Sequence, residues 1–158
     1  MSKLLAMNNN ILSNPVFISA LCAMLIAQFV KPFIYLISNR EWKGVLIFSN
    51  GGMPSSHTST VCAMTTAVGL TDGFGSTLFV ISLIFALVVM NDAVNVRLET
   101  GRQAELLNEW STLFSDMFHD KIFTRKKFKT MVGHTVLQVF WGMIIGIAAG
   151  AIITIGCF

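Results

Sequence analysis

Three long runs without a charged residue limit what this chain can fold into. The runs cover residues 11–30, 73–91 and 135–158, and each is about long enough for a helix to cross the hydrocarbon core of a bilayer. A fourth run, residues 53–71, is uncharged if its histidine is neutral, but it is rich in serine and threonine. Only 12% of the residues are charged, about half the share in an ordinary soluble domain. The sequence therefore predicts an integral membrane protein.

The order of apolar and polar segments predicts an all-α fold. We expect an integral membrane helical bundle of about four transmembrane helices, over residues 15–32, 55–70, 76–96 and 135–158. Residues 33–50 mix apolar and charged side chains, which is typical of a re-entrant or interfacial stretch. Apolar residues recur at helical spacing in residues 103–118 and predict an amphipathic helix. The length favours one membrane-embedded domain over residues 1–158.

The basic residues predict the orientation of the bundle. If four helices span the membrane, every lysine and arginine except Lys3 lies on the same side. Short loops that carry positive charge stay in the cytoplasm, so this side, with the amphipathic helix, is predicted to be cytoplasmic. The basic cluster at residues 125–129 is expected to anchor the last helix at anionic headgroups. The first run lacks a clear small-residue cleavage site, so we do not expect a signal peptide.

This topology brings the ends of four helices to one membrane interface. These ends carry charged, hydroxyl or imidazole side chains, namely Lys31, Ser55, Ser56, His57, Asp92, Arg97 and His134. Cations neutralise a phosphoryl group, and a glycine-containing turn at a helix start offers backbone N–H groups to an anion. One histidine can attack phosphorus while a second protonates the leaving oxygen. The pattern therefore predicts a phosphate-handling site.

Three sequence strings resemble the divergent branch of the type 2 phosphatidic acid phosphatase superfamily, which is related to the vanadium haloperoxidases. They are Gly51-Gly-Met-Pro-Ser-Ser-His57, Asp92-Ala-Val-Asn-Val-Arg97 and Gly133-His-Thr135, and the resemblance extends over most of the chain. It implies a helical membrane phosphatase of lipid phosphates or pyrophosphates that needs no metal or other cofactor and works through a phosphohistidine. We expect a location in the bacterial inner membrane, and the positive charges place the active site on the cytoplasmic side.

The resemblance implies roles for individual residues. His134 matches the nucleophile of the superfamily and His57 its general acid. Ser55, Ser56 and Lys31 match residues that bind the substrate phosphate. From the topology, we expect Arg97 to supply a guanidinium group to the same phosphate. The expected supporting residues are Gly52, Asp92 and Lys129.

The chain departs from the superfamily pattern at several positions. No Arg-Pro pair follows Lys31 at the expected distance, and Lys129 is the cation nearest to His134 where an arginine is expected. Gln138 stands four residues after His134, where the superfamily has a carboxylate. A glutamine can accept a hydrogen bond from the imidazole but brings no charge to stabilise it.

Gln138 leaves two further hypotheses open. One is a non-catalytic protein that binds or transports anionic lipids, and the other is a small structural subunit of a membrane complex. The expected partners are membrane lipids, with a lipid phosphate as the substrate of the enzyme. A homo-oligomer stays open, and no nucleic-acid partner is expected. The individual residues also have structural interpretations: Ser55 or Ser56 can cap a helix, and Asp92 can form an ion pair with Arg97.

Overall fold

The computed structural model of the protein describes residues 10–49, 51–118, 127–130 and 133–157. These residues form five α-helices, numbered in chain order: α1 Pro15–Asn39, α2 Ser56–Asp72, α3 Thr77–Asn91, α4 Arg97–Phe118 and α5 Val136–Cys157. Short 3-10 helices, Ile11–Ser13 and Gly44–Phe48, flank α1, and a π-helical turn at Asp92–Val96 joins α3 to α4. The described residues contain no strand, which confirms the all-α prediction.

Among the described residues, three segments are long and apolar enough to cross a membrane: Pro15–Asn39, Thr77–Ser115 and Val136–Gly156. The fourth predicted span, α2, has 17 residues, ten of which are buried. It lies in the centre of the bundle and packs against α1, α3 and α5. The predicted helical bundle of an integral membrane protein is therefore confirmed. Of the four predicted spans, α2 is the least apolar and is shielded by the other three.

Four threonine hydroxyl groups of α2 form hydrogen bonds within the helix itself. Thr60, Thr65, Thr66 and Thr71 each donate a hydrogen bond to the carbonyl oxygen four residues earlier. A hydroxyl bonded in this way brings no unpaired donor into an apolar environment. The serine- and threonine-rich run can therefore form the centre of a membrane bundle.

Small residues bring α2 and α5 into close contact. A Cβ atom added at Gly146 would lie 2.4 Å from the carbonyl oxygen of Ser59. At Gly142 and Gly150 the corresponding distances are 2.6 Å to the carbonyl oxygen of Ser55 and 2.8 Å to that of Ala63. The Ser59 hydroxyl donates to the Gly142 carbonyl oxygen at 2.8 Å. Close packing of small residues is a main source of helix association in membranes. The contacts advance in the same direction along both helices, so their N-termini lie at the same end of the bundle.

One face of α1 is buried in the bundle at every fourth residue. Ser19, Ala23 and Ala27 are fully buried, and Lys31 continues the same face with 1% of its surface exposed. The Ser19 hydroxyl forms a hydrogen bond of 3.1 Å with the hydroxyl of Thr154 on α5. This face therefore carries the Lys31 side chain into the interior of the bundle, near the end where α2 begins.

Two boundary predictions are wrong. Residues 33–39, predicted to be part of an interfacial stretch, continue α1 through Pro32 as regular helix, and the helix ends at Arg40 in a left-handed conformation. The third helix, predicted to run to residue 96, changes to π-helical geometry at Asp92 and then continues as α4. The amphipathic helix predicted at 103–118 lies within α4, with Leu106, Trp110 and Leu113 exposed. Within the basic cluster, residues 125 and 126 lie outside the described residues.

Candidate functional site

The two histidines of the sequence motifs lie together at the end of the bundle where α2 and α5 begin. Their ring centroids are 6.4 Å apart. His57 stands in the first turn of α2 and is exposed, whereas His134 precedes α5 and has 2% of its surface exposed. The pair therefore consists of one imidazole inside the protein and one at its surface.

The side chain of Gln138 fixes the tautomer of His134. The Oε1 atom of Gln138 accepts the backbone N–H of Thr135 at 3.2 Å and lies 3.1 Å from Nδ1 of His134. A backbone N–H can only donate, so this position must be the amide oxygen, and Nδ1 must carry the hydrogen atom. The lone pair of the neutral ring then lies on Nε2, which is buried and has no hydrogen-bond partner among the described residues.

The π-turn holds the backbone of His134. In a regular α-helix the Ala93 carbonyl oxygen would accept the N–H of Arg97, but here that N–H bonds to Asp92. The Ala93 oxygen instead accepts the N–H of His134 at 3.1 Å. Gly133 lies directly on α4, since a Cβ atom there would be 2.4 Å from the backbone N and Cα atoms of Leu98. The local change of helix type therefore creates the docking point for His134.

Substitution of Gly133 by alanine should displace His134 without unfolding the bundle. The added methyl group would collide with backbone atoms of Leu98, which cannot move independently of α4. A shift of about 1 Å at a reacting group can lower activity about 100-fold, and we expect a loss of that size in any reaction that His134 performs. Gly75→Ala is the matched control, because no atom lies within 4 Å of its added Cβ. Equal activity of the two variants would contradict this role of Gly133.

The π-turn also pairs Asp92 with Arg97. Residues five apart lie on different faces of an α-helix, but the wider turn brings them together, and Nε of Arg97 donates to Oδ2 of Asp92. Within the described part of the chain, no hydrogen bond or ion pair engages the terminal nitrogens of Arg97. Asp92 therefore orients the guanidinium group while leaving its outer donors free.

Lys31 approaches the same end from α1. Its Nζ atom donates to the carbonyl oxygen of Ser49 at 2.9 Å and so holds the loop that leads to α2. A cavity of about 290 Å³ lies beside it, lined among others by Gly52, Met53 and Gln138. Gly52 has a φ of 89°, which other residues rarely adopt, so the glycine is required for the turn. Lys31 and Gln138, the residue that orients His134, thus line the same cavity.

The site has a positive electrostatic character. Burial lowers the pKa of His134 below its ordinary value of 6.5, and the hydrogen bond to Gln138 opposes this shift. The positive charges of Lys31, His57 and Arg97 lower the pKa of His134 further. His134 therefore stays neutral to lower pH than an exposed histidine, while the cations around it favour an anion.

Two predicted phosphate ligands have structural contacts. Ser55 is fully buried and caps α2: its Oγ accepts hydrogen bonds from the backbone N–H and the hydroxyl of Thr58. Its own backbone N–H donates to the Gln138 carbonyl oxygen at 3.1 Å. Ser56 begins α2 and is also buried. Both serines therefore position the first turn that carries His57, and their contact with phosphate stays a prediction.

Lys129 is not brought together with the two histidines. The backbone of its neighbour Phe128 exchanges two hydrogen bonds with the side chain of Asn108. Asn108 lies about 16 Å beyond Arg97 along the axis of α4. Lys129 is exposed, and the cationic charges that act on His134 come from other residues.

The fold and this arrangement define a helical membrane protein with a paired-histidine site. Residues 12–149 match the Divergent PAP2 family, and the chain belongs to that family. It is 38% identical over 145 residues to the uncharacterized membrane protein YuiD of Bacillus subtilis (strain 168). The aligned region covers 87% of this chain and 92% of YuiD. No solved structure matches the chain.

Proposed function

We propose that this protein is a membrane phosphatase that removes phosphate from a lipid phosphate or pyrophosphate through a phosphohistidine intermediate. The observation that carries the proposal is the state of His134: its Nδ1–H is held by Gln138, and the lone pair of its buried Nε2 is unused among the described residues. A second imidazole lies 6.4 Å away, on the exposed side. Membership of the Divergent PAP2 family supports the same reaction class.

The reaction would proceed in two displacements at phosphorus. Nε2 of His134 forms a bond to phosphorus as the bond to the leaving oxygen breaks, and His57 gives its proton to that oxygen. His57 then accepts a proton from water, the water oxygen bonds to phosphorus, and the phosphorus–nitrogen bond breaks with its electrons returning to Nε2. Because His57 is exposed and His134 is buried, the lipid alcohol leaves toward the surface.

The cations at the site would bind the phosphoryl oxygens. Arg97, oriented by Asp92, offers its terminal nitrogens, and Lys31 lies at the adjoining cavity. Fixed positive donors stabilise the charge on the equatorial oxygens in the transition state of phosphoryl transfer. We place this site at the cytoplasmic interface of the membrane, because the described basic residues Arg40, Lys43 and Arg97 lie at helix ends on that side.

The test is phosphate release by the purified protein in detergent micelles. Phosphatidic acid, phosphatidylglycerol phosphate and a prenyl phosphate should be offered without added metal, and we expect turnover of at least one. The neutral Gln138 favours the alternative of a protein that binds anionic lipids without chemistry. A phospholipid retained in native mass spectrometry with no phosphate release from any substrate would support that alternative and contradict the phosphatase.

The pH dependence of kcat/KM should reflect the buried nucleophile. Because burial and neighbouring cations lower the pKa of His134, the neutral, nucleophilic form persists below pH 6.5. We therefore expect the acidic limb of the pH–rate profile to fall below pH 6.5, measured as kcat/KM between pH 4 and 9, about the range over which histidine titrates. An acidic limb above pH 7 would contradict this assignment.

Substitution of Gln138 by glutamate should raise the rate of formation of the phosphoenzyme. Glutamate retains an acceptor for both Nδ1 of His134 and the N–H of Thr135, and adds a negative charge beside the cationic phosphoimidazole. The same charge raises the pKa of His134, so the acidic limb of the profile should move to higher pH. Gln138→Leu is the control without an acceptor and should lose activity. A fall in both rate and acidic pKa for Gln138→Glu would contradict the role.

A further inference from the structure

An apolar groove opens on the side of the bundle between α2, α3 and α5. Its volume is about 410 Å³, and its walls include Cys62 of α2, Leu83 and Leu87 of α3, and Ile147 of α5. The residues of α3 that line it, from Phe79 to Met90, recur at helical spacing and form one face of that helix. The groove therefore runs along the helices, parallel to the direction in which lipid chains lie.

One end of the groove lies near the histidine site. Met90 lies two residues before Asp92, and Met143 lies five residues after Gln138. Both methionines pack against the cluster of Val61, Cys62 and Ala86, about one turn along α2 from His57. A chain lying in the groove would therefore end about one helical turn from His57.

The other end is closed by two aromatic rings. Phe74 and Phe79 form an edge-to-face pair with centroids 5.1 Å apart, and Phe74 lies so close to Gly69 that a Cβ atom there would be 2.6 Å from its ring. Phe79 and Met90 are separated by eleven residues of helix, or about 16 Å. The groove therefore has a defined length.

A second, larger groove between α1 and α3 is a poorer candidate. Its volume is about 760 Å³, but it is lined by Asn14 and Asp72, which lie at the opposite end of the bundle from the histidines. On α3 it extends no further toward the site than Phe85. Of these two apolar grooves, the one between α2, α3 and α5 ends nearer to the proposed site, because on α3 it extends to Met90.

We propose that this groove binds a single hydrocarbon chain of the phosphorylated lipid and that the Phe74–Phe79 pair limits the length of chain accepted. The inference rests on the proposed function and specifies its substrate class: a phosphate monoester or pyrophosphate on a long, flexible apolar chain. The phosphate would lie between the imidazoles while the chain replaces bilayer lipid along α3. Burial of the chain would supply binding energy remote from the reacting phosphate.

The test compares tryptophan substitutions on two faces of α3. Leu83→Trp places a bulky ring in the groove, whereas Ile84→Trp lies on the outer face, where the native side chain lines neither groove. For a series of alkyl phosphates, we expect Leu83→Trp to lower kcat/KM about 100-fold on long chains and to leave a short, water-soluble ester unaffected. Ile84→Trp should match the parent on both. Equal behaviour of the two variants on long chains would overturn the proposal.

A second measurement separates this inference from the phosphatase itself. A long-chain alkyl phosphate with a photoreactive diazirine near its end should label groove residues of α3 or α5 in the parent protein and not in Leu83→Trp. Labelling without any phosphate release would uphold the groove and contradict the proposed function. Turnover of short and long esters with labelling confined to other surfaces would contradict the groove. Phe79→Ala should extend the labelled and hydrolysed series to longer chains.

Discussion

Replacing His134 by alanine should abolish phosphate release while leaving the helix bundle folded. The imidazole supplies the nucleophile of the first displacement in the proposed reaction, so we expect a loss of about 10⁴-fold or more in kcat. Folding should survive because Gln138 keeps its hydrogen bond to the Thr135 backbone and the backbone of residue 134 keeps its bond to Ala93. The measurement is initial rate of phosphate release together with thermal unfolding of the same preparation.

His57→Ala provides the matched comparison. A general acid contributes about 10² to 10⁴-fold, and chiefly when the leaving group is a poor one such as an alkyl alcohol. The variant should therefore lose most activity on a lipid phosphate. With an aryl phosphate, whose leaving group needs no proton, it should still form the phosphoenzyme rapidly but hydrolyse it slowly, because His57 is also the base for the attacking water. His134→Ala should be inactive on both. Parent-like rates for folded His134→Ala would show that another group attacks phosphorus.

Replacing Gly146 by leucine should separate α2 from α5 and destabilise the whole protein. The added side chain would begin 2.4 Å from the Ser59 carbonyl oxygen and 2.8 Å from Cβ of Cys62, in the most closely packed part of the bundle. We expect a loss of about 3 kcal/mol or more. That loss corresponds to a fall of about 6 to 12 °C in Tm in detergent.

The control for Gly146 lies on the same helix. An added Cβ atom at Gly156 has no neighbour within 4 Å, so Gly156→Leu should change stability by no more than about 0.5 kcal/mol. Activity of Gly146→Leu should fall with stability, because the contact between α2 and α5 also sets the distance between His57 and His134. Equal Tm values for the two variants would contradict the proposed packing.

The helices and their meeting point could be predicted from the sequence because both depend on local patterns. Apolar runs of bilayer length predict the spans, and the alternation of direction along the chain places Lys31, His57, Arg97 and His134 at one end. The close packing of α5 could also be expected from the sequence, since Gly142, Gly146 and Gly150 recur at every fourth residue in an apolar helix. This signal predicts close helix packing but does not name the partner helix.

The details of the site depend on contacts that no local pattern encodes. The π-turn after Asn91 has no composition that distinguishes it from regular helix, yet it frees the Ala93 carbonyl oxygen and aligns Asp92 with Arg97. The tautomer of His134 is fixed by two contacts of Gln138 Oε1, with Nδ1 of His134 and with the N–H of Thr135. These contacts can be recognised only in the three-dimensional structure. Ser55 matched a phosphate-binding motif and a helix cap, but its burial depends on the packing of α5, to which its backbone N–H donates.

Trapping of the covalent intermediate tests the central claim most directly. The purified protein should be mixed briefly with a radiolabelled lipid phosphate, quenched in alkali, where phosphohistidine survives, and digested for mass spectrometry. We predict that the label is attached to the imidazole of His134, accumulates in His57→Ala with an aryl phosphate and is absent from His134→Ala. Phosphate release without label on His134, or label on a different residue, would contradict the account.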